Sequence, residues 1–179
     1  MKRIEDLRVR EIRWLNSSSY VIVLQGSEAS PDIRPGNFAE ILVDTPEVFL
    51  RRPFSYLDHD EREKTVSFFI KAIGKGSRKL GTLGKGEVVN VIHPLGNAFS
   101  IPEGKKVLIT GGGSGIAPFI MLGRELKNRN NHIHILTGGR TAEDILFTEE
   151  FSEYGEVFCT TEDGSLGEKG LITQHSLFN

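Results

Sequence analysis

One stretch of the chain decides its fold: Val107-Leu108-Ile109-Thr110-Gly111-Gly112-Gly113-Ser114-Gly115-Ile116-Ala117-Pro118. Four residues typical of a β-strand run into four glycines within five positions, and an apolar segment typical of a helix continues to about Asn128. Such a turn suits a phosphate, because glycine lets the backbone approach an anion and the first N–H groups of the helix point at it. The spacing departs from the strict fingerprint G-x-G-x-x-G/A, since its third glycine position falls on Ile116 or Pro118. The alternative is a glycine-rich turn without a ligand.

The segments on either side of this stretch differ in character. After Pro102 the pattern is strand, helix, strand, helix, strand, which is typical of a parallel sheet with right-handed crossovers. We predict strands at 107–110, 132–137 and 156–160 and helices at 116–128 and 141–151. Before Pro102, short strands separated by turn signals predict an antiparallel barrel or sandwich. These strands are predicted at 7–14, 20–24, 38–43, 51–56, 65–73 and 87–92, with one short helix at 77–83.

Composition limits the classes of function. The chain has 179 residues, 38% of them hydrophobic, and a formal net charge of −2, so it has enough apolar residues for a core and no excess of positive charge for nucleic acid. It contains no run of about 18 apolar residues, so we expect no transmembrane helix. The amino-terminal residues lack an apolar signal core, and the single cysteine, Cys159, forms no internal disulfide. A cytoplasmic location is therefore expected.

Two stretches of the first half are candidate anion sites. Arg52-Pro53-Phe54-Ser55 combines a guanidinium, a rigid turn and a hydroxyl, and arginine binds phosphate in a bidentate manner. In Gly74-Lys75-Gly76-Ser77-Arg78-Lys79-Leu80 the glycines free the backbone, and Ser77 is predicted to cap a helix whose amino terminus faces an anion. The alternatives are a surface arginine beside an edge-strand proline, and a flexible basic loop.

Other candidate residues favour structural roles. We predict that His93 is a turn or packing residue rather than a proton shuttle, because the sequence places no carboxylate beside it. The segment Asp163–Gly167 suits either a ligand loop at the end of a strand or an ordinary turn. Cys159 is predicted to be a buried, apolar residue. His132 and His134 share a strand face but have no evident third ligand, so no metal site is predicted.

The order of these motifs resembles that of the ferredoxin-reductase-like flavoproteins. The resemblance covers nearly the whole chain, and within that superfamily it is strongest to the electron-transfer subunits of NAD-dependent dihydroorotate dehydrogenase. The stretches that carry it are Arg52-Pro53-Phe54-Ser55, Gly76-Ser77, His93-Pro94-Leu95-Gly96-Asn97, the Gly111–Pro118 loop, and Thr160-Thr161-Glu162-Asp163-Gly164-Ser165-Leu166-Gly167-Glu168-Lys169-Gly170.

The resemblance implies an antiparallel β-barrel that binds FAD, residues 1–102, followed by an α/β domain with a parallel sheet that binds NAD, residues 103–179. It implies that Arg52 contacts the flavin pyrophosphate and that no side chain acts as catalytic acid or base. The implied FAD site consists of Arg52, Pro53, Phe54, Ser55, Ile70, Lys71, Ala72, Gly76 and Ser77. The implied site for the nicotinamide nucleotide consists of Gly111, Gly112, Gly113, Gly115 and Pro118.

The function implied by the resemblance is electron transfer in pyrimidine biosynthesis. A catalytic partner subunit would oxidise dihydroorotate on FMN, and electrons would reach NAD⁺ through an iron–sulfur cluster and FAD. Family members continue with another βα segment, a Cys-Gly-Pro stretch and a cysteine-rich tail that holds the 2Fe–2S cluster. The cysteine ligands are absent from these 179 residues, and we expect an incomplete second domain in a fragment or a shortened relative. The alternatives are an NAD(P)H-dependent ferredoxin or flavin reductase and a non-catalytic FAD-binding module.

Overall fold

The computed structural model describes residues 2–27 and 32–178. The chain divides into two compact units, Met1–Phe99 and Ser100–Asn179. The boundary predicted from the sequence, after residue 102, lies slightly further along the chain. No helix among the described residues is both long and apolar enough to cross a bilayer.

The first unit is a closed barrel of six antiparallel strands in the order β1-β2-β5-β4-β3-β6. Closure removes the unpaired edges that an open sheet would expose, and it confirms the predicted barrel over the sandwich alternative. The elements are β1 Arg3–Asn16, β2 Ser19–Gln25, β3 Phe38–Ile41, β4 Arg52–Asp60, β5 Thr65–Lys71, α1 Lys75–Leu80 and β6 Val88–Leu95.

The barrel core follows from the alternation of side chains along each strand. On β2, Tyr20, Ile22 and Leu24 are fully buried, because residues two apart on a strand point to the same face. Phe68 and Ile70 of β5 lie opposite Ile22 and Tyr20 in the antiparallel register and are buried with them. The interior is therefore filled by large side chains, which leaves ligand binding to the outside of the barrel and its loops.

The second unit contains a four-stranded sheet in the order β10-β9-β8-β7. Its neighbouring strands pair in parallel, as the strand–helix alternation predicts. The strands are β7 Lys106–Gly112, β8 His132–Gly139, β9 Glu156–Thr161 and β10 Glu168–Lys169, and the α-helices are α2 Phe119–Asn128 and α3 Thr148–Ser152.

The glycine stretch takes the predicted strand–turn–helix form. Strand β7 ends at Gly112, a 3-10 turn covers Gly113–Ile116, and α2 begins after Pro118. Phe119, Met121 and Leu126 of α2 are buried, because the helix packs its apolar side on the unit's core. The loop therefore joins two elements whose positions are fixed by packing.

The predicted continuous helix at 141–151 is wrong. A 3-10 turn at Ala142–Asp144 is followed by an extended residue, Ile145, and α3 starts only after Phe147, which has a φ of 62°. Ile145 and Phe147 are both buried. In a straight helix these two positions would point roughly 200° apart, so the chain breaks the helix in order to bury both.

Helix α1 lies two residues earlier than predicted. It runs from Lys75 to Leu80 with Gly74 as its N-cap. Ser77 is therefore not the cap residue. Its hydroxyl instead accepts a hydrogen bond from the Gly74 N–H and donates one to the Gly74 carbonyl, each at 3.1 Å, because a serine in the first turn can reach back to the residue that precedes the helix.

Candidate functional site

A pocket of about 460 Å³ opens on the first unit, between the start of β4 and the segment that leads into α1. Its walls come from three separate parts of the chain, which the barrel topology brings together. The lining residues are Glu47, Val48, Arg52, Pro53, Phe54, Lys71, Gly74, Lys75, Gly76 and Ser77.

Arg52 and Gly76 are neighbours in this pocket. A Cβ atom built on Gly76 would lie 3.5 Å from Arg52 Nε and 3.5 Å from the Val48 side chain. Gly76 is buried, and a Cβ there would make ordinary van der Waals contact with the Arg52 side chain. The two motifs that the sequence singles out as separate anion sites therefore form one site.

The pocket has more positive than negative charge. Arg52, Lys71 and Lys75 line it together with one carboxylate, Glu47. Lys75 Nζ lies 3.0 Å from a Glu47 carboxylate oxygen, and both side chains are more than half exposed, so water screens this pair. Sequence reasoning missed Glu47 and did not single out Lys75, because a short-range pattern does not show which loop faces α1.

Other predicted flavin residues lie behind the pocket wall. Ile70 and Ala72 are buried, and neither of them lines the pocket. Ser55 pairs with Phe38 across the sheet and lies just beyond the lining residues. The backbone carbonyl of Ser77 accepts a hydrogen bond of 2.5 Å from the Tyr20 hydroxyl, which joins α1 to the barrel core.

A buried hydrogen-bonded chain lies in the same unit, next to the Arg52–Ser55 motif. His93 is 1% exposed. Its Nε2 lies 2.5 Å from a Glu5 carboxylate oxygen and its Nδ1 lies 2.7 Å from the Tyr56 hydroxyl. The prediction that His93 lies in a turn without a carboxylate partner is therefore wrong. Its partner is 88 positions away in the sequence, and only the β1–β6 pairing brings the two together.

The chemistry of the partners fixes the tautomer of His93. Burial lowers the pKa of His93, against the opposing effect of Glu5, so the ring is neutral at pH 7. A carboxylate only accepts hydrogen bonds, so Nε2 carries the proton and donates it to Glu5. Nδ1 then accepts from the Tyr56 hydroxyl, whose pKa is raised by burial. The result is an ordered chain of hydrogen bonds from Tyr56 through His93 to Glu5. It begins at the residue that follows Ser55.

The glycines of the loop in the second unit are explained by different structural features. A Cβ on Gly111 would lie 2.8 Å from the Phe119 ring, and one on Gly112 would lie 3.0 Å from the Gly138 carbonyl oxygen. Gly113 has a φ of 56°, which strongly favours glycine. A Cβ on Gly115 would meet nothing within 4 Å. Packing therefore explains Gly111 and Gly112, whereas Gly115 leaves open space at the surface.

Pro118 is the buried residue at the end of this loop. It is buried and occupies the N-cap position of α2 with helical backbone angles. Its side chain therefore packs inside the unit, and its part in any ligand site is to set the start of the helix.

The carboxyl ends of β7, β8 and β9 meet at one edge of the sheet. Arg140 follows β8 there, and its side chain is 78% exposed, with Nε 3.7 Å from an Asp144 carboxylate oxygen. Sequence reasoning missed Arg140, although its position directly after two glycines at a strand end was a usable signal. The same edge carries the Asp163–Gly167 segment.

The Asp163–Gly167 segment forms an ordered turn. The Ser165 hydroxyl donates to Asp163 at 2.6 Å and accepts from the Ala142 N–H at 2.7 Å. The hydrogen bond from Ser165 holds the pKa of Asp163 below its usual value. These bonds tie the loop after β9 to the loop after β8.

Two further predictions concern metal-binding and nucleophilic side chains. Cys159 is half-buried, and burial raises the pKa of its thiol, so the thiol stays protonated at neutral pH.

The inference that the His132 and His134 pair lacks a third ligand is wrong, because Glu156 lies beside them on the next strand.

Comparison with known proteins identifies the family of this chain. The family described as "Oxidoreductase NAD-binding domain" matches residues 109–175. The "Dihydroorotate dehydrogenase B (NAD(+)), electron transfer subunit" of Listeria monocytogenes is 34% identical over 171 residues, which are 94% of this chain and 67% of that protein. The chain belongs to the family of dihydroorotate dehydrogenase B electron transfer subunits. The subunit from Caldanaerobacter subterraneus is 37% identical, over 93% of this chain and 64% of its own length.

A solved structure has the same architecture as this electron transfer subunit. An NADH-dependent reduced ferredoxin-NADP oxidoreductase, described in work on flavin-based electron bifurcation, superposes with a TM-score of 0.84 at 27% sequence identity. The match covers 93% of this chain and 60% of that chain. Barrel and parallel sheet together are thus the reductase fold that the motif order implies, and the chain is an oxidoreductase subunit.

Proposed function

We propose that this chain binds FAD at the barrel pocket and a nicotinamide nucleotide at the carboxyl edge of its parallel sheet. In this role it transfers electrons from a dihydroorotate-oxidising partner subunit to NAD⁺, in the cytoplasm. Membership of the electron transfer subunit family supports the reaction class. The observation that carries the assignment of the flavin site is the proximity of Arg52 and Gly76 in a pocket with three cations.

The lining of the pocket fits a flavin dinucleotide. A pyrophosphate carries negative charge that a guanidinium can bind through two parallel hydrogen bonds. Arg52 would supply these bonds, and Lys71 and Lys75 would add charge. Gly76 lets the backbone come close, and the half-buried Phe54 ring offers apolar surface to a flat ring system. FAD, when bound, supplies the electron-transfer chemistry.

The second unit contributes a surface for the nucleotide. Gly115 leaves space for a phosphate at the turn before α2, and the Arg140 guanidinium is exposed at the same edge. Ligands of open α/β sheets bind outside the carboxyl ends of the strands. The positions of Gly115 and Arg140 support this proposal.

The 179 residues do not supply the ligands of a 2Fe–2S cluster. Such a cluster needs four ligands, usually cysteines, and the 179 residues contain one cysteine. No step through a cluster is assigned to the residues described here, and electrons would enter the chain from its partner.

The proposal is tested with purified chain, FAD and pyridine nucleotides. We expect FAD to bind in a ratio of about one per chain, and NADH to bleach its visible absorption under anaerobic conditions. We also expect the chain to co-purify with a dihydroorotate-oxidising flavoprotein when the two are produced together. Failure to bind FAD would contradict the flavin site, and binding without bleaching by NADH or NADPH would favour a non-catalytic FAD-binding module.

A second candidate function is supported by the relative of known structure and by Arg140. That relative is named a ferredoxin-NADP oxidoreductase, and an arginine near the end of the second strand can accommodate the 2′-phosphate of NADP. A ferredoxin or flavin reductase that uses NADP would be reduced faster by NADPH than by NADH. Comparing the two reduction rates distinguishes the candidates, and Arg140→Ala should abolish any preference for NADPH.

A further inference from the structure

The amino end of the parallel sheet carries three side chains able to ligate a metal. His132 and His134 lie two positions apart on β8, so their side chains share a face. Ile133 between them is buried on the opposite face. Glu156 begins β9 and pairs directly with His134 in the parallel register. Strand alternation and strand pairing therefore bring the three residues together, and no loop conformation is needed for it.

The potential ligand atoms are close to one another. All lie within 4.8 Å of one another, and His134 Nε2 is 3.6 Å from a Glu156 carboxylate oxygen. The two imidazole rings meet edge to face with centroids 5.0 Å apart. Ligands of a tetrahedral zinc ion with bonds of about 2.0–2.1 Å lie roughly 3.3 Å apart. His132 and Glu156 are exposed, so their side chains have room to rotate toward that spacing.

We propose that His132, His134 and Glu156 bind one divalent transition-metal ion of the zinc class. Two neutral imidazoles and one carboxylate form a ligand set that zinc uses with a fourth position open to water. The carboxylate offsets one of the two positive charges. Imidazole ligands also select such ions over magnesium and calcium, which prefer oxygen ligands.

The surroundings partly preorganise this site. The Phe158 ring lies edge to face on His134, with centroids 5.4 Å apart, and it restricts the rotation of that imidazole. Lys106 pairs with His132 across β7 and β8 and is a nearby positive charge that opposes a cation. It is exposed at the start of its strand, so its ammonium group can turn into water.

The position of the site lets the ion link two neighbouring strands. It would join β8 to β9 at their amino ends, whereas the glycine loop and Arg140 follow the carboxyl ends of the strands. An ion that binds only the folded chain raises its stability. Zinc should therefore raise the unfolding temperature without contacting the proposed nucleotide loop.

The test uses tag-free chain, stripped of metal with a chelator and titrated with Zn²⁺ alone by calorimetry. Co²⁺ serves as a coloured substitute, because tetrahedral Co²⁺ absorbs visible light much more strongly than octahedral Co²⁺. The variants are His134→Ala and the milder Glu156→Gln. The matched control is Glu153→Gln, which alters an exposed carboxylate in the turn before β9. Circular dichroism confirms the folding of each variant.

We expect about one Zn²⁺ per unaltered chain and intense Co²⁺ absorption. Each ligand variant should bind Zn²⁺ about 100-fold more weakly, since even the loss of an outer-shell partner costs about 10- to 100-fold. The control should match the unaltered chain. If His134→Ala does not fold, Glu156→Gln alone decides. The proposal is wrong if the unaltered chain takes up no Zn²⁺, or if a folded ligand variant binds it as tightly as the control does.

Discussion

His93 makes the stability of the barrel depend on pH at the scale of a single residue. Burial lowers its pKa in the folded chain, so the unfolded chain takes up a proton first as the pH falls. The contribution of neutral His93 is thus fully present above the unfolded pKa of about 6.5 and declines below it. We expect the free energy of unfolding to drop more steeply between about pH 7.5 and 5.5 in the unaltered chain than in His93→Gln.

Urea unfolding at several pH values measures this difference. Glutamine keeps polar atoms near Glu5 and Tyr56 but does not titrate, so groups that do not touch His93 contribute equally to both curves. The slope that belongs to His93 is limited to one proton, about 1.4 kcal/mol per pH unit. Parallel curves for the two proteins would show that His93 has the same pKa in the folded and the unfolded chain.

Arg52 gives a second prediction at the residue scale. Removal of its guanidinium in Arg52→Ala should weaken FAD binding by about 1.5–3 kcal/mol, which is roughly 10- to 150-fold in Kd. The loss is that of a charge-assisted hydrogen bond to phosphate. Arg78→Ala is the matched control, because Arg78 is an exposed arginine on α1 outside the pocket lining. Fluorescence titration of FAD measures both, and equal affinities would contradict the assignment of Arg52.

The residues of the candidate site were only partly predictable from sequence. Arg52 and Gly76 stand in short motifs whose residue types suggest an anion, so each could be singled out alone. They come together beside Val48 and Glu47, in a segment that has no motif. The Glu5–His93 pair joins the first and last strands of the barrel, and no local pattern reveals a partner so distant in the chain.

Helix α2 shows at the scale of an element where intrinsic preference and packing disagree. A Cβ on Gly123 would lie 2.7 Å from Tyr154 Cδ2 and 3.0 Å from Tyr154 Cβ. Helix propensity alone predicts that Gly123→Ala gains about 1 kcal/mol. Overpacking of this kind costs about 1–3 kcal/mol, and the Tyr154 stem cannot move without its backbone. We expect Gly123→Ala to lower the free energy of unfolding.

Chemical denaturation tests this expectation, with Asn128→Ala as the control on the same helix. Asn128 is exposed at the last position of α2, so alanine there should leave stability unchanged or slightly raised. A stabilised Gly123→Ala variant would show that α2 packs on Tyr154 less closely than described.

Element prediction succeeded where local and long-range preferences agree. Strand β7 and helix α2 have strong apolar runs separated by glycines, and both were predicted. The segment 141–151 has helical composition, yet burial of Ile145 and Phe147 breaks it into two short pieces. Sequence patterns describe the preference of a segment, whereas burial in the folded unit decides which preference is satisfied.

At the scale of the whole molecule, the division into two units predicts that flavin and nucleotide binding can be separated by one substitution. Gly115→Val is the substitution of choice, because a Cβ at Gly115 meets no protein atom within 4 Å. Gly113→Val would strain the backbone, because a β-branched residue resists the positive φ of Gly113. Gly111→Val would clash with the Phe119 ring.

The added side chain of Gly115→Val should occupy the space proposed for the nucleotide phosphate. We expect FAD to bind with unchanged affinity, because the pocket residues all belong to the first unit. Reduction of the bound FAD by NADH should become at least about tenfold slower at subsaturating NADH, the equivalent of 1.4 kcal/mol in binding. Stopped-flow absorption measures the rate, and circular dichroism establishes that the variant is folded. A folded variant whose FAD is reduced at the unaltered rate would place the nucleotide site away from the glycine loop.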